Sequence, residues 1–368
     1  MRDLLDDIDR WVAAGHRVAV GRVVGLDGSG PRQPGAAMVV NDQGEVAGSV
    51  SGGCVEGAVV TDALAVLSAG GPPRLVSFGY SDDDAFAVGL TCGGTVRVFI
   101  ETLDERYLPI LEAIRGGGPV ALATIVEGPA DRLGAKLLVR PGAPAVGRLG
   151  DPGLERVVAR DAVGELDAGR SGTRHYGLAG EARQTDVTVF VESFAPPPRM
   201  IIFGAVDFTA ALARVAKVLG YRVTVCDARE VFATRARFPM ADDVVVSWPD
   251  RYLATQGAEL GPRDAVCVLT HDAKFDVPAL VAALRTRAGY VCAMGSRRTQ
   301  TQRVERLLET GLSPDEVSRV MAPAGLDLGA RTPEETAISI CAEMIARRTG
   351  RSAGSLRDQE GPIHGSAG

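Results

Sequence analysis

Hydrophobic and polar positions follow two different patterns along the chain. In the first half, short apolar runs typical of strands are interrupted by helical segments at 55–68, 105–115 and 154–163. The predicted strands are 17–24, 36–40, 74–78, 95–102, 120–126, 136–140 and 186–193. This half is therefore predicted to be a mixed α+β domain.

The second half alternates regularly between strands and helices. The predicted strands are 200–204, 222–226, 243–246, 265–270 and 290–294, and the predicted helices are 207–219, 277–285 and 298–309. Such alternation is typical of βαβ units, so we predict a Rossmann-like, doubly wound parallel sheet. Ser313 and Thr332 each precede a proline and have a glutamate three residues later, which predicts two capped helix starts. The sequence shows no internal repeat.

A proline run at 196–198 separates the two halves, because consecutive prolines continue neither a helix nor a sheet. The chain is thus predicted to be α/β overall. We expect an N-terminal domain over 1–195 and a Rossmann-like domain over 199–349. The polar segment 350–368 is expected to be a flexible tail.

Charge and cysteine content exclude several classes of protein. A net charge of -6 gives no electrostatic reason to expect nucleic acid or a membrane surface as a partner. No secretory signal or bilayer-spanning segment is evident, so we expect a cytoplasmic protein. Six scattered cysteines without a C-x-x-C pair argue against a disulfide framework. Cys226, Cys267 and Cys292 lie in apolar runs and are expected in the core.

The most unusual segment is the glycine- and serine-rich loop 48–57 (GSVSGGCVEG), which runs directly into a helix. Free amides at that helix start would favour an anion. The helix dipole would favour the thiolate form of Cys54, which is the nucleophilic and metal-binding form. The alternative is a tight turn with a buried cysteine, and the local pattern leaves both interpretations open.

A second cysteine, Cys92, is also flanked by glycines, in the segment 89–94 (GLTCGG). Glycines beside a cysteine let the sulfur and the neighbouring amides approach a bulky ligand closely. Cys54 and Cys92 could therefore share one site. Their spacing matches no compact zinc motif and no histidine lies nearby, so a structural zinc site is not expected.

The first strand-to-helix turn of the second domain, 204–209 (GAVDFT), departs from the dinucleotide-binding fingerprint. Only Gly204 occupies one of the three glycine positions, which argues against classical binding of NAD or another dinucleotide. Asp227 follows the second strand, where a ribose-binding acid would lie. Its alternative role is a cap at the end of the strand.

Two polar clusters, 270–276 and 295–298, are expected at the carboxyl edge of the parallel sheet, where ligands bind in open α/β folds. A phosphate could be held there by arginines at a helix start, and an anion by a histidine and a lysine. The candidate side chains are His271, Lys274, Ser296, Arg297 and Arg298. Solvated loops and helix caps are the alternative interpretation.

Four segments together resemble the XdhC/CoxI family. They are 48–57 (GSVSGGCVEG), 89–101 (GLTCGGTVRVFIE), 293–299 (AMGSRRT) and 323–335 (PAGLDLGARTPEE). The resemblance implies a maturation factor that binds the pterin-based molybdenum cofactor and supports its sulfuration by a cysteine desulfurase partner. It would deliver the cofactor to an apo molybdenum hydroxylase of the xanthine dehydrogenase or carbon monoxide dehydrogenase type. Such a protein is a chaperone rather than an enzyme, and we expect a homodimer.

Motifs and resemblance together define the candidate cofactor-binding residues. In the first domain they are Ser51, Gly52, Gly53, Cys54, Glu56, Thr91, Cys92, Gly93 and Gly94. In the second domain they are Gly204, Asp227, His271, Ser296, Arg297 and Arg298. The candidate molybdenum contacts are Cys54 and Cys92, because thiolates suit a soft thiometal centre.

Three other functions remain open at this point. One is an NAD(P)-dependent oxidoreductase, which would need the fingerprint that the turn 204–209 lacks. Another is a thiol-based redox or sulfur-transfer enzyme that uses Cys54 and Cys92 as a pair. The third is an assembly factor that grips its client without touching the cofactor.

Overall fold

The computed structural model describes residues 1–28, 30, 32–79 and 94–360. The chain divides into two compact units, Met1–Pro196 and Pro197–Glu360. Among the described residues, no helix is both long enough and apolar enough to cross a membrane.

The first unit contains two five-stranded antiparallel sheets. The strands of the first sheet are β1 (Val18–Asp27), β2 (Ala37–Asn41), β3 (Val46–Gly48), β4 (Arg74–Gly79) and β5 (Thr95–Thr102). Those of the second are β6 (Val120–Glu127), β7 (Lys136–Val139), β8 (Val146–Arg148), β9 (Gly172–Tyr176) and β10 (Val187–Phe194). The described helices are α1 (Leu5–Ala13), α2 (Glu56–Ala69), α3 (Leu108–Arg115) and α4 (Pro152–Ala168), with short 3-10 turns at Arg2–Leu4 and Glu105–Tyr107.

The sequence patterns found the long apolar strands and missed the short polar ones. Strands β3 and β8 have three residues each, and β9 is largely polar, so none shows a clear strand pattern. The helix predicted at 154–163 is longer than expected. It starts at Pro152 because the side chain of Asp151 accepts hydrogen bonds from the first-turn amides, and it ends where Gly169 adopts a left-handed conformation.

The two sheets have the same topology, which makes the first unit an internal repeat. Their strand orders are β3-β2-β1-β5-β4 and β8-β7-β6-β10-β9. In each copy one helix precedes the first strand and another follows the third strand. The registers also correspond, because Val20 lies opposite Glu101 and Leu122 lies opposite Glu192. The expectation that the chain has no repeat was therefore wrong.

The two sheets pack face to face, and one helix covers the outer face of each. Alternate residues of β1 divide between the two faces: Val20 packs against the other sheet, while Ala19 and Val23 pack towards α2. The inter-sheet core includes Leu122 from the second sheet. Helix α4 covers the outer face of the second sheet through residues such as Val158.

Four charged side chains are buried between the sheets. Arg22 and Glu101 come from the first sheet, and Lys136 and Glu192 come from the second. Burial lowers the pKa of Lys136, although the neighbouring Glu101 partly offsets this effect. The buried Tyr107 hydroxyl donates a hydrogen bond to Glu101 and accepts one from Arg22. Two positive and two negative groups therefore share one interior site.

The second unit is a six-stranded parallel sheet with helices on both faces. Its strands are β11 (Arg199–Phe203), β12 (Arg222–Asp227), β13 (Asp243–Val246), β14 (Ala265–Val268), β15 (Tyr290–Ala293) and β16 (Val320–Met321). Its helices are α5 (Asp207–Val218), α6 (Pro249–Gln256), α7 (Ala273–Leu284), α8 (Arg297–Glu309), α9 (Pro314–Ser318) and α10 (Pro333–Thr349), with 3-10 turns at Gly257–Glu259 and Leu356–Asp358.

The strand order β13-β12-β11-β14-β15-β16 is that of a Rossmann fold, so the prediction of fold class is confirmed. Helices α5 and α10 cover one face, and α6 to α9 cover the other. Both predicted capping boxes, at Ser313 and Thr332, are present. Cys226, Cys267 and Cys292 are buried, as their apolar surroundings predicted.

Candidate functional site

The glycine- and serine-rich loop lies between β3 and α2 in the first copy of the repeat. Gly52 and Gly53 have φ angles of +84° and +127°, which favour glycine over any residue with a side chain. Val50 and Ser51 are buried and anchor the loop. Cys54 is exposed, whereas the four other cysteines within the described ranges are buried. The alternative of a turn with a buried cysteine is thus wrong.

The carboxylate of Glu56 folds back into this loop and accepts hydrogen bonds from its backbone. Four of the amide donors are Ser51 N at 2.8 Å, Gly52 N and Gly53 N at 2.9 Å each, and Val50 N at 3.2 Å. Further donors are Val55 N at 3.2 Å, the Ser49 hydroxyl at 2.8 Å and the Ser51 hydroxyl. A carboxylate at the first helical position therefore organises the whole turn.

The remaining loop amide is also used. Cys54 N donates to the Ser51 hydroxyl oxygen at 2.9 Å, so all six N–H groups from Val50 to Val55 have acceptors inside the loop. The amides of 50–55 are therefore not free to bind an external anion, and the expected free amides at the start of α2 itself stay a prediction. The loop exposes the Cys54 thiol instead.

The hydrogen bonds set the charge state of Glu56. Partial burial acts to raise the pKa of this carboxyl, but the donors from Ser51 and Ser49 outweigh burial and hold the pKa well below its usual range. Glu56 is therefore ionised at neutral pH, although no basic side chain among the described residues forms an ion pair with it.

The described residues leave space beside the tip of the loop. A Cβ atom added at Gly52 or Gly53 would meet no atom within 4 Å among the residues that the structure describes. An exposed thiol fits a soft thiometal centre. The internally bonded amides of 50–55 do not fit a phosphate group.

The second predicted cysteine motif falls largely outside the described residues. Thr91, Cys92 and Gly93 belong to the segment 80–93, and their proposed contacts remain predictions. Gly94 is described and directly precedes β5. Among the residues with described positions, no group of three or more His, Cys, Asp or Glu side chains could hold a metal ion.

The second copy of the repeat contains an equivalent turn without a thiol. Glu155 accepts a hydrogen bond from Leu149 N, as Glu56 accepts one from Val50 N. Two residues before each glutamate, the first copy has Cys54 and the second has Gly153. A side chain at Gly153 would lie 2.5 Å from the carbonyl oxygen of Ala179, so this turn is closed by neighbouring backbone. The glycine-to-glutamate spacing shared by 48–56 and 147–155 is the sequence feature that could have revealed the repeat.

In the second unit, the turn after β11 is held from within. Gly204 has a φ of +107°, and an added side chain would lie 2.9 Å from the Thr270 methyl group. The carboxylate of Asp227 accepts a hydrogen bond from Ala205 N at 2.7 Å and pairs with Arg229. Burial raises the pKa of Asp227, but these donors more than offset it and the net shift is downward.

The same turn carries a negative charge where a pyrophosphate would bind in an intact fingerprint. Asp207 occupies the first position of α5, and its side chain is 91% exposed. Asp227 therefore caps the end of β12, which was the alternative interpretation from the sequence, and its carboxylate holds the turn after β11 in place. A role in ribose binding stays a prediction.

The remaining predicted residues follow β14 and β15, on the connecting loops and in the first turn of α8. Ser296 caps α8 by accepting a hydrogen bond from Thr299 N, and Arg297, Arg298 and His271 are exposed. Buried Arg303 was not anticipated from the sequence. It donates to Asp276 on α7 and to the carbonyl oxygen of Met294, which joins α7 and α8 to the end of β15.

An aromatic contact was also missed, because its partners are far apart in sequence. The rings of Trp248 and Phe275 lie 4.9 Å apart, and they come from the starts of α6 and α7. Trp248 is 40% exposed.

Comparison with known proteins agrees with this architecture. The XdhC Rossmann domain model matches residues 200–344, and the XdhC and CoxI family model matches 11–79 and 113–177. The last two segments run from the first helix to the fourth strand of each copy of the repeat. The sequence models and the internal repeat thus divide the first unit in the same way.

Two curated relatives match most of the chain. A probable xanthine dehydrogenase subunit of Bacillus subtilis is 28% identical, over 94% of this chain and 95% of its own length. The molybdenum cofactor insertion chaperone PaoD of Escherichia coli is 27% identical, over 89% of this chain and 82% of its own length.

A solved structure shares the fold. It is a xanthine dehydrogenase from Bacillus halodurans, with a TM-score of 0.65 and 24% identity, and the match covers 96% of this chain and 98% of that one. The family models, the curated relatives and this likeness of fold agree with one another, and the chain belongs to the XdhC and CoxI family, with an XdhC Rossmann domain as its second unit.

Proposed function

We propose that this protein binds the molybdenum cofactor at the Cys54 loop, supports its sulfuration and delivers it to an apo molybdenum hydroxylase. Membership of the family supports an accessory role in maturation, and one relative is named as a molybdenum cofactor insertion chaperone. The observation that carries the proposal is the exposed Cys54 thiol, next to two glycines that no other described residue crowds.

The proposed chemistry assigns separate tasks to the residues of the loop. The cofactor supplies a soft molybdenum centre, for which a cysteine sulfur is a suitable ligand. Cys54 would provide that sulfur, and Gly52 and Gly53 would add no side chain that blocks its approach. Recognition of the cofactor's phosphate is not assigned to the amides of 50–55, because they are occupied. Cys92 remains the proposed second thiol.

The proposed partners follow from the same role. A cysteine desulfurase would supply sulfur, and an apo-hydroxylase of the xanthine dehydrogenase or carbon monoxide dehydrogenase type would receive the cofactor. A homodimer in the cytoplasm stays our prediction. Nucleotide binding by the Rossmann unit is disfavoured by Val206 and Asp207 at the first turn.

Anaerobic titration of purified protein with isolated molybdenum cofactor tests this proposal. Wild type should retain the cofactor through gel filtration and activate an apo-hydroxylase, and Cys54→Ser should retain less. Cys341→Ala, which removes a buried thiol from the other unit, is the matched control and should behave as wild type. Absence of retention by wild type would overturn the proposal.

A further inference from the structure

We infer that Glu56 is the positioning residue of this site, and that its carboxylate acts as a built-in anion which fixes the loop and turns Cys54 outward. The inference rests on the proposed function, because that function gives the orientation of Cys54 its importance. It assigns Glu56 no contact with the cofactor.

The first argument is the geometry around the carboxylate. Successive backbone N–H groups that point into one concave turn form a nest for an anion. Here five backbone amides and two hydroxyls converge on the two oxygens of Glu56. The anion that fills the nest therefore belongs to the chain itself, and an external anion would have to displace it.

The second argument is that the tip of the loop, residues 52–54, has no buried side chain to hold it, whereas Val50 and Ser51 are anchored by burial. Gly52 and Gly53 have no side chains to pack, and no other described residue lies within 4 Å of where their Cβ atoms would be. Cys54 is exposed, and its backbone N–H donates to the Ser51 hydroxyl, which itself donates to Glu56. Removal of the carboxylate would leave the amides of Val50, Ser51 and Gly53 without their acceptor, and Gly52 N would keep only the Ser49 hydroxyl oxygen. The orientation of Cys54 thus depends on Glu56.

The second copy of the repeat provides a matched comparison. Glu155 keeps the contact to Leu149 N, but the amides of Gly153 and Leu154 are accepted by Asp151 instead. In the second copy, Glu155 and Asp151 thus share the backbone hydrogen bonds of the turn, and this turn has no cysteine. Substitution of Glu155 therefore controls for loss of a glutamate at this position of the fold.

The experiment uses the full-length chain with Glu56→Ala, Glu56→Gln and Glu155→Ala. Cofactor binding should fall about tenfold or more in both Glu56 variants and stay unchanged in Glu155→Ala. Formate, a small carboxylate, should restore binding in Glu56→Ala because it can fill the vacated nest. It should not restore Glu56→Gln, whose amide side chain still occupies the space. Rescue by formate separates a positioning role from a merely structural defect.

A second readout does not involve the cofactor. The melting temperature of apo Glu56→Ala should rise with formate concentration, whereas those of wild type and Glu155→Ala should not, because only the vacated nest binds formate in the folded state. If wild type binds no cofactor but formate still raises the melting temperature of Glu56→Ala, the proposed function fails, whereas the role of Glu56 in holding the loop is supported. Wild-type cofactor affinity in Glu56→Ala, or an absence of any formate effect on that variant, would overturn the inference.

Discussion

Glu101 and Glu192 occupy equivalent positions in the two sheets of the first unit, and each carboxylate is paired with a cation from the opposite sheet. Lys136 Nζ donates to Glu101 at 2.5 Å. Arg22 Nε lies 3.1 Å from a Glu192 oxygen as an ion pair without hydrogen-bond geometry. Repetition explains the two glutamates, and the two cations arise on different strands, β1 and β7. The copies have therefore become complementary rather than identical.

Replacement of Arg22 by methionine should destabilise the first unit strongly. Glu192 would be left buried without Arg22 as its ion-pair partner, and loss of one partner from a buried pair costs about 3–5 kcal/mol. Urea denaturation would measure the change in the free energy of unfolding. The double variant Arg22→Met, Glu192→Leu should recover most of that loss, because an apolar pair carries no penalty for removing charges from water. A double variant as unstable as the single one would contradict this account.

The contribution of Glu56 to stability should depend on pH. Its folded pKa is depressed below the ordinary value of 4.5, so its stabilising effect is fully present above pH 4.5 and is lost as the pH falls towards the folded pKa. The difference in free energy of unfolding between wild type and Glu56→Gln should be constant near neutrality and shrink on acidification. Denaturation at a series of pH values measures it, and the other carboxyl groups cancel in the difference. If the difference in free energy of unfolding did not change with pH, the hydrogen-bonded arrangement of Glu56 would be contradicted.

Asp227 is expected to matter for the fold of the second unit. Asp227→Ala would leave Ala205 N without its acceptor in a buried turn, at a cost of about 1–3 kcal/mol. The control is Asp207→Ala in the same turn, which removes an exposed carboxylate and should change stability by less than about 0.5 kcal/mol. Thermal denaturation of the two variants compares them directly. Equal effects would show that the clamp between β12 and the turn is unimportant.

The second unit was predictable because its elements are set locally. Alternating apolar strands and helices indicated the Rossmann sheet, and the capping boxes at Ser313 and Thr332 are encoded within four residues each. The buried charges were not predictable, since Arg22 and Glu192 are paired across two sheets. Arg303 escaped notice for the same reason, because its carboxylate partner lies on another helix.

The site was half predictable. Glycines around Cys54 made an accessible sulfur one of two open interpretations, and the structure shows that it is the correct one. The role of Glu56 could not be read from the pattern, since it depends on left-handed backbone at Gly52 and Gly53 that turns the amides inward. The repeat was missed because strands need only alternate apolar residues, so the two copies keep few identical positions.

The closed turn of the second copy has a consequence for interpreting variants of this protein. Gly153 stands where Cys54 stands in the first copy, and the surrounding strands and helix form in the same order. The second copy thus forms the same strands and helices without a cysteine at the tip of this turn. The thiol is therefore not needed for this part of the fold to form. A loss of cofactor binding in Cys54→Ser would reflect the missing sulfur and not a misfolded loop.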